Sequence, residues 1–213
     1  MTLKMRLNKC AFTLILTVTF ASTLSAQVSS LDKPTAQRED LVLKPIVFEL
    51  RDKQTMEAES GQLRVPETRG PKRSKLIALS FIRFRSFAQK PSSPIVYLAG
   101  GQGDSGINDF HSVPLSLLNE LRTVADVIAL DQRGTGGSEP RDVTCQSEQL
   151  LPLDRPGDPK LYVNIFRDRM RSCAGVLQTK GIELAAFTTE ENAADVEALR
   201  VAIGAKKLTL LAG

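Results

Sequence analysis

The 213 residues are 42% hydrophobic and 24% charged, an ordinary composition with enough apolar matter for one buried core. The formal charge of +4 gathers at the start, where Lys4, Arg6 and Lys9 precede the first acid, Asp32. Taking those three from 28 basic residues leaves 25 against 24 acidic ones. With no basic stretch interleaved with aromatics, this argues against a nucleic-acid partner.

After the basic start comes an apolar run, Ala11 to Ala21, and then Leu24-Ser25-Ala26, a cleavage-site pattern. Residues 1–26 therefore read as a secretory signal peptide, and the protein as exported to the periplasm or extracellular space. The run is short for a membrane span, so no stable membrane anchor is expected. Cys10 would leave with the signal. Residues 27–44 are polar and without period, and read as a mobile leader. Residues 45–213 are expected to form the folded domain.

That domain opens with a short strand at Ile46–Leu50. Gly61–Val65 alternates and ends at Pro66, which suits an edge strand or its exit. Lys75–Phe84 is a strong strand, and with Gly61–Val65 it forms an expected antiparallel pair. Ile95–Leu98 is a short apolar run of β-formers, read as a strand buried on both faces. Gly100, Gly101, Gly103 and Gly106 follow it closely. A glycine-rich loop at the carboxyl end of a parallel strand is where open α/β sheets bind substrates, and its N–H groups can face a developing negative charge. The plain alternative is a strand-to-helix turn.

Val113–Ala125 has Leu115, Leu118, Leu121 and Ala125 at helical spacing, and Asp126–Leu130 is a second buried strand. Strand, helix and strand in this length make a βαβ unit and a parallel sheet. Asp131 to Pro140 is a second glycine-rich turn at the same sheet edge. Arg133 offers a rigid fork of donors and Asp131 can accept, so both read as structural support around a pocket rather than as chemistry. The alternative is a surface turn.

Arg141 to Pro159 reads as loop and Lys160 to Gln178 as a helix, with Leu161, Ile165, Met170, Cys173 and Leu177 inward. Cys145 and Cys173 are an even pair in an exported chain, which reads as a disulfide, with two buried thiols as the alternative. No metal site is suggested, since neither cysteine has a CxxC partner or a nearby histidine. Thr188 and Glu191 form a capping box opening a helix that runs to Ile203, with Val196, Leu199 and Ile203 on one face and Gly204 as its stop. Leu208–Leu211 is then a third parallel strand. The fold class is α/β: a mostly parallel sheet with an antiparallel N-terminal edge.

Three segments carry a family resemblance. They are Ala99-Gly100-Gly101-Gln102-Gly103-Asp104-Ser105-Gly106, then Asp131-Gln132-Arg133-Gly134-Thr135-Gly136-Gly137-Ser138, then Thr188 to Gly204 leading into Leu208–Leu211. Together they resemble the secreted proline iminopeptidase and tripeptidyl aminopeptidase group of α/β hydrolases. Gly61 to Glu67 resembles that group's N-terminal strand motif. The loop has Gln102 where the family usually has proline, and Ala99 where some members have histidine. The resemblance implies peptide-bond hydrolysis through a serine ester, with a peptide or small ester as substrate and no cofactor. It implies the Gly101 N–H as oxyanion donor, with Gly100 and Gln102 as neighbours.

In this fold the nucleophile sits on a sharp turn straight after a strand like Leu208–Leu211, with the acid and histidine later in the chain. All three would fall beyond Gly213, so the expectation is an N-terminal portion, truncated at the nucleophile elbow and inactive alone. Alternatives are an esterase or epoxide hydrolase of the same fold, or a non-catalytic truncated product. His111, Asp109 and Ser105 lie on one loop, and the family's triad histidine comes last, so they are read as polar loop residues and not as a triad.

Overall fold

The computed structural model describes residues 40–70, 74–101, 103–141, 143 and 158–213. The expected signal peptide, the leader up to residue 39, Gln102 and Cys145 lie outside the described residues. Cys173 is disulfide-bonded.

The sheet starts with three long strands in a meander: β1 (Leu41–Glu49), β2 (Thr55–Pro66) and β3 (Leu76–Phe84). Each pairs antiparallel with the next. β1 corrects the expected leader boundary, because Leu41 to Lys44 are paired with Leu63 to Ser60. Its Pro45 is tolerated since β1 is an edge strand with one side unpaired. β2 buries Met56 and Ala58 on one face and Gly61, Leu63 and Val65 on the other, the alternation changing phase at Glu59 and Ser60, so that it serves the core clusters on both sides of the sheet.

Gly61 faces Phe81 directly across the β2–β3 ladder. A Cβ at Gly61 would overlap the Phe81 ring, and that ring is wholly buried. Gly61→Ala is therefore expected to destabilise by about 1–3 kcal/mol through overpacking. Urea unfolding measures it, and Gly61→Ala with Phe81→Leu should recover part of the loss.

The rest of the sheet is parallel. β4 (Ile95–Leu98) pairs with β5 (Val127–Leu130) and with β6 (Thr209–Ala212), giving the order β1-β2-β3-β5-β4-β6. β5 joins the two halves by pairing antiparallel with β3. The class is thus α/β, a six-stranded mixed sheet with an antiparallel edge and a parallel remainder. β5 is buried throughout, as a central strand should be. β4 is not buried on both faces, since only Val96 is fully covered. β6 is exposed along its whole length, because it is the far edge of the sheet.

Helices α1 (Gly106–Phe110) and α2 (Leu115–Arg122) connect β4 to β5. Leu118 and Phe110 anchor one core cluster with Phe84, Val127 and Ala129. α3 (Pro159–Thr179) precedes a 3-10 turn at Leu184–Ala186 and α4 (Thr189–Ala202). α4 packs Ala198, Leu199 and Ala202 against Leu63, Leu79, Val96 and Ile128, with Val196 and Ile203 partly buried beside them. Gly204 closes α4 at φ +73°, a left-handed value that glycine adopts without strain.

Two helix readings need correction. Met170 was expected inward but is 48% exposed. α3 buries Ile165 and Leu177, while Val163, Phe166 and Met170 are exposed although they share the side of the helix that holds Leu177. The capping box is half made. Thr188 Oγ1 accepts the Glu191 N–H at 3.2 Å, but the Glu191 carboxylate turns outward to Arg69.

Candidate active site

Parallel pairing puts the carboxyl ends of β4, β5 and β6 on one edge, and both glycine-rich turns leave from it. Their backbones touch there. A Cβ at Gly106 would come within 2.5 Å of the Leu130 carbonyl oxygen. A Cβ at Gly100 would overlap the carbonyl oxygen of Gly213, just past β6. The glycines at 100 and 106 are thus what lets three strand ends converge.

Asp131 ties the two turns together. It is 1% exposed. Its Oδ1 accepts the Ser105 hydroxyl at 2.6 Å and the Ile107 N–H at 3.0 Å, and its Oδ2 accepts the Gly137 N–H at 2.8 Å. Gly136 crosses above it at φ +49°, where a Cβ would strike the carboxylate. The second turn is also laced onto β3. Ser138 Oγ donates to the Asp131 carbonyl and accepts the Ser80 N–H, and Ser80 Oγ donates to the Gly137 carbonyl.

Arg133 points the other way, into the body. Its Nε and Nη2 make a fork on the Asp195 carboxylate, both at 2.8 Å, while Nη1 donates to the carbonyls of Glu67 (2.6 Å) and Ala186 (2.7 Å). Arg69 shares Asp195 Oδ1 at 2.6 Å and binds Glu191 with its other arm. The Arg133 and Asp195 side chains are 1% and 3% exposed. Asp195 was not singled out from sequence. The available signal was a carboxylate at the i−4 and i−7 positions from Leu199 and Ala202, on the buried face of α4.

The first turn carries the expected oxyanion donor. Gly101 is exposed and at φ +85°. Its Cβ position is occupied by the Asp104 carboxylate, a charge that would oppose an oxyanion at close range. Gln102, its expected neighbour, lies outside the described residues. Behind the turn the Tyr97 hydroxyl donates to Asp109 at 2.8 Å, and a Cβ on Gly213 would sit 2.7 Å from that hydroxyl.

Ser105, Asp109 and His111 do not come together. Ser105 bonds Asp131 and caps α1 through the Asn108 N–H. Asp109 binds Tyr97. His111 stacks on Phe48 at 4.4 Å, with Nδ1 2.5 Å from the Glu49 carbonyl. Among the described residues no cluster of three or more His, Cys, Asp or Glu could hold a metal ion. A groove of about 570 Å³ runs along Ile46, Ala58, Arg85 and Arg122, and none of its lining residues belongs to either turn.

The hydrogen bond to Asp109 and partial burial raise the Tyr97 phenol above its ordinary value, because both disfavour the phenolate. With the folded value raised, the stability Tyr97 contributes is present below the ordinary phenol range. It is lost as pH rises through the folded value. The chain has two tyrosines, Tyr97 and Tyr162. Absorbance titration at alkaline pH should show a component ionising above the ordinary value, and Tyr97→Phe should remove that component.

No protein-family model matches the chain, and no curated protein matches it.

Proposed function

We propose that these residues form the N-terminal part of an exported serine hydrolase of the α/β hydrolase fold, aminopeptidase-like, acting on peptides or small esters through an acyl-enzyme. The observation that carries the reading is the contact of Gly100 with Gly213. It brings the glycine loop, with its backbone donors, against the turn that leaves β6. A nucleophile two or so residues past β6 would then lie beside an oxyanion loop, the arrangement acyl transfer needs. Asp131 and Arg133 brace that corner and take no part in the chemistry. The exported start and the disulfide at Cys173 fit an oxidising compartment.

The nucleotide sequence after the Gly213 codon tests the reading directly. A Gly-x-Ser-x-Gly stretch supports it, an aspartate in place of the serine points to epoxide hydrolysis, and a stop codon ends the catalytic reading. The 213-residue chain by itself should leave aminoacyl-coumarin substrates at the background rate, since loss of a nucleophile costs about a millionfold in turnover. Turnover by the purified chain would overturn the assignment of the nucleophile.

A further inference from the structure

Arg133, Arg69 and Arg83 are each largely buried, and each is answered by a carboxylate. Arg133 grips Asp195 at 2.8 Å, Arg69 binds Glu191 at 2.5 Å and Arg83 binds Asp126 at 2.5 Å. Arg122, the last residue of α2, is different. It is only 9% exposed, yet among the described residues no carboxylate lies within 4.0 Å of its guanidinium. Its Nε donates to the Arg85 carbonyl at 2.8 Å, and its Nη1 reaches Asn119 Oδ1 at a long 3.4 Å. Its Nη2 has no protein acceptor among the described residues. The Phe87 ring, with its centroid 4.0 Å away, covers one face of the guanidinium without accepting an in-plane hydrogen bond. Asp126 is already taken, Oδ2 by Arg83 and Oδ1 by the Ser86 N–H. Asp126 and Glu57 act on Arg122 only at longer range. A guanidinium so buried and so little compensated calls for an anion.

Arg122 lines the groove of about 570 Å³, where Ile46 and Ala58 stand opposite each other in the β1–β2 ladder and the short Ala58 side chain leaves room. Val47 adds further apolar lining. Arg85 lines the groove too, but Glu59 already holds it by a fork at 2.8 and 3.1 Å. The groove sits at the amino end of β5, where Phe84 pairs with Val127, and both glycine-rich turns leave the opposite end.

We propose that this groove binds a small organic monocarboxylate with an apolar tail. The carboxylate takes the Nη1 and Nη2 edge of Arg122, and the tail lies along Ile46, Val47 and Ala58. A guanidinium edge offers two parallel N–H bonds to a carboxylate. Small-molecule sites are of this size, mostly apolar with a few placed polar groups. One unanswered positive charge fits a monoanion, and Asp126 and Glu57 nearby would repel a dianion. The inference is independent of the hydrolase reading.

Octanoate is the probe. Titrated into the isotope-labelled full-length chain, it should move the nuclear magnetic resonance signals of the Arg122 Nε–H and of the Val47 and Ala58 amides together, to saturation. The Gly101 and Gly137 amides should stay in place. Octanol, which has the tail alone, and acetate, which has little more than the carboxylate, should each bind about 10-fold more weakly or worse. Arg122→Met keeps an apolar stem and should weaken octanoate by about 10-fold or more, with unchanged far-UV circular dichroism. Arg122→Lys keeps the charge without the fork and should fall between. If Arg122→Met does not fold, octanoate against octanol on the native chain decides. The absence of a saturable shift at the three positions overturns the proposal. So does octanol binding as tightly as octanoate, which would make the groove an unselective apolar cleft. Inorganic phosphate displacing octanoate at equal concentration also overturns it, as does octanoate binding that survives Arg122→Met.

Discussion

Asp195→Ala is expected to lower the stability of the folded chain by about 3–5 kcal/mol, the usual loss when one partner of a buried ion pair is removed. Asp195 answers two guanidinium groups at once. Arg133 binds both of its oxygens and Arg69 shares one of them. Glu191, whose Oε2 lies 3.5 Å from Arg133 Nη2 and bonds Arg69, would compensate only in part. The effect should appear as a fall of about 6–20 °C in the thermal midpoint for a domain of this size. It should persist at high salt, because buried charges are screened little. A loss under about 1 kcal/mol would mean that water reaches the pair. Replacing the arginine as well, as Asp195→Ala with Arg133→Met, should cost less than the single change, since it removes one stranded charge.

Asp131→Asn should destabilise by about 2–3 kcal/mol despite its near-identical shape. A carboxylate can accept on both oxygens, and here it does so three times. An amide presents one oxygen and one NH2 group. In one orientation its NH2 meets the Gly137 N–H, and in the other it meets the Ile107 N–H. Either way a buried donor is stranded. Hydrogen exchange separates this from a local effect. Protection should fall at Ile107 and at Gly137 together, though they belong to different turns. Loss of protection at Gly137 alone would show that Asp131 does not couple the turns.

Periodicity and turn chemistry were enough to locate most of the sheet. Ile95–Leu98 matches β4 residue for residue, and Lys75–Phe84 and Asp126–Leu130 each run one residue long. What local patterns missed has physical causes. Leu41 to Lys44 precede Pro45, which reads as a strand breaker until the strand is known to be an edge. α1 is five residues, too short for a hydrophobic period, and Ser105 as its cap was the available sign. The spacing of Met170 points inward because it shares its side of α3 with the buried Leu177, two turns on, but the body covers that side at Leu177 and not at Met170. At the candidate site, Asp131 and Arg133 were legible as supports from their donor and acceptor inventory. Their partners Asp195 and Ser105 were not, because those contacts link positions 62 and 26 apart in sequence.

The strand order dictates a sequence of assembly. β1, β2 and β3 zip from adjacent turns, with Glu49 opposite Thr55 at the first of them, so the meander can form as soon as its residues are free. β4 comes next in the chain, yet the place beside β3 belongs to β5. β4 therefore waits for Val127–Leu130 on one side and for Thr209–Ala212 on the other, each a far larger loop closure. Pulse-labelled refolding should find β2 and β3 amides protected first and those of β4 and β6 last, since β6 pairs only with β4. In that interval Ile95, Val96 and Leu98 stand uncovered, which makes the nascent half-sheet the species most prone to aggregate.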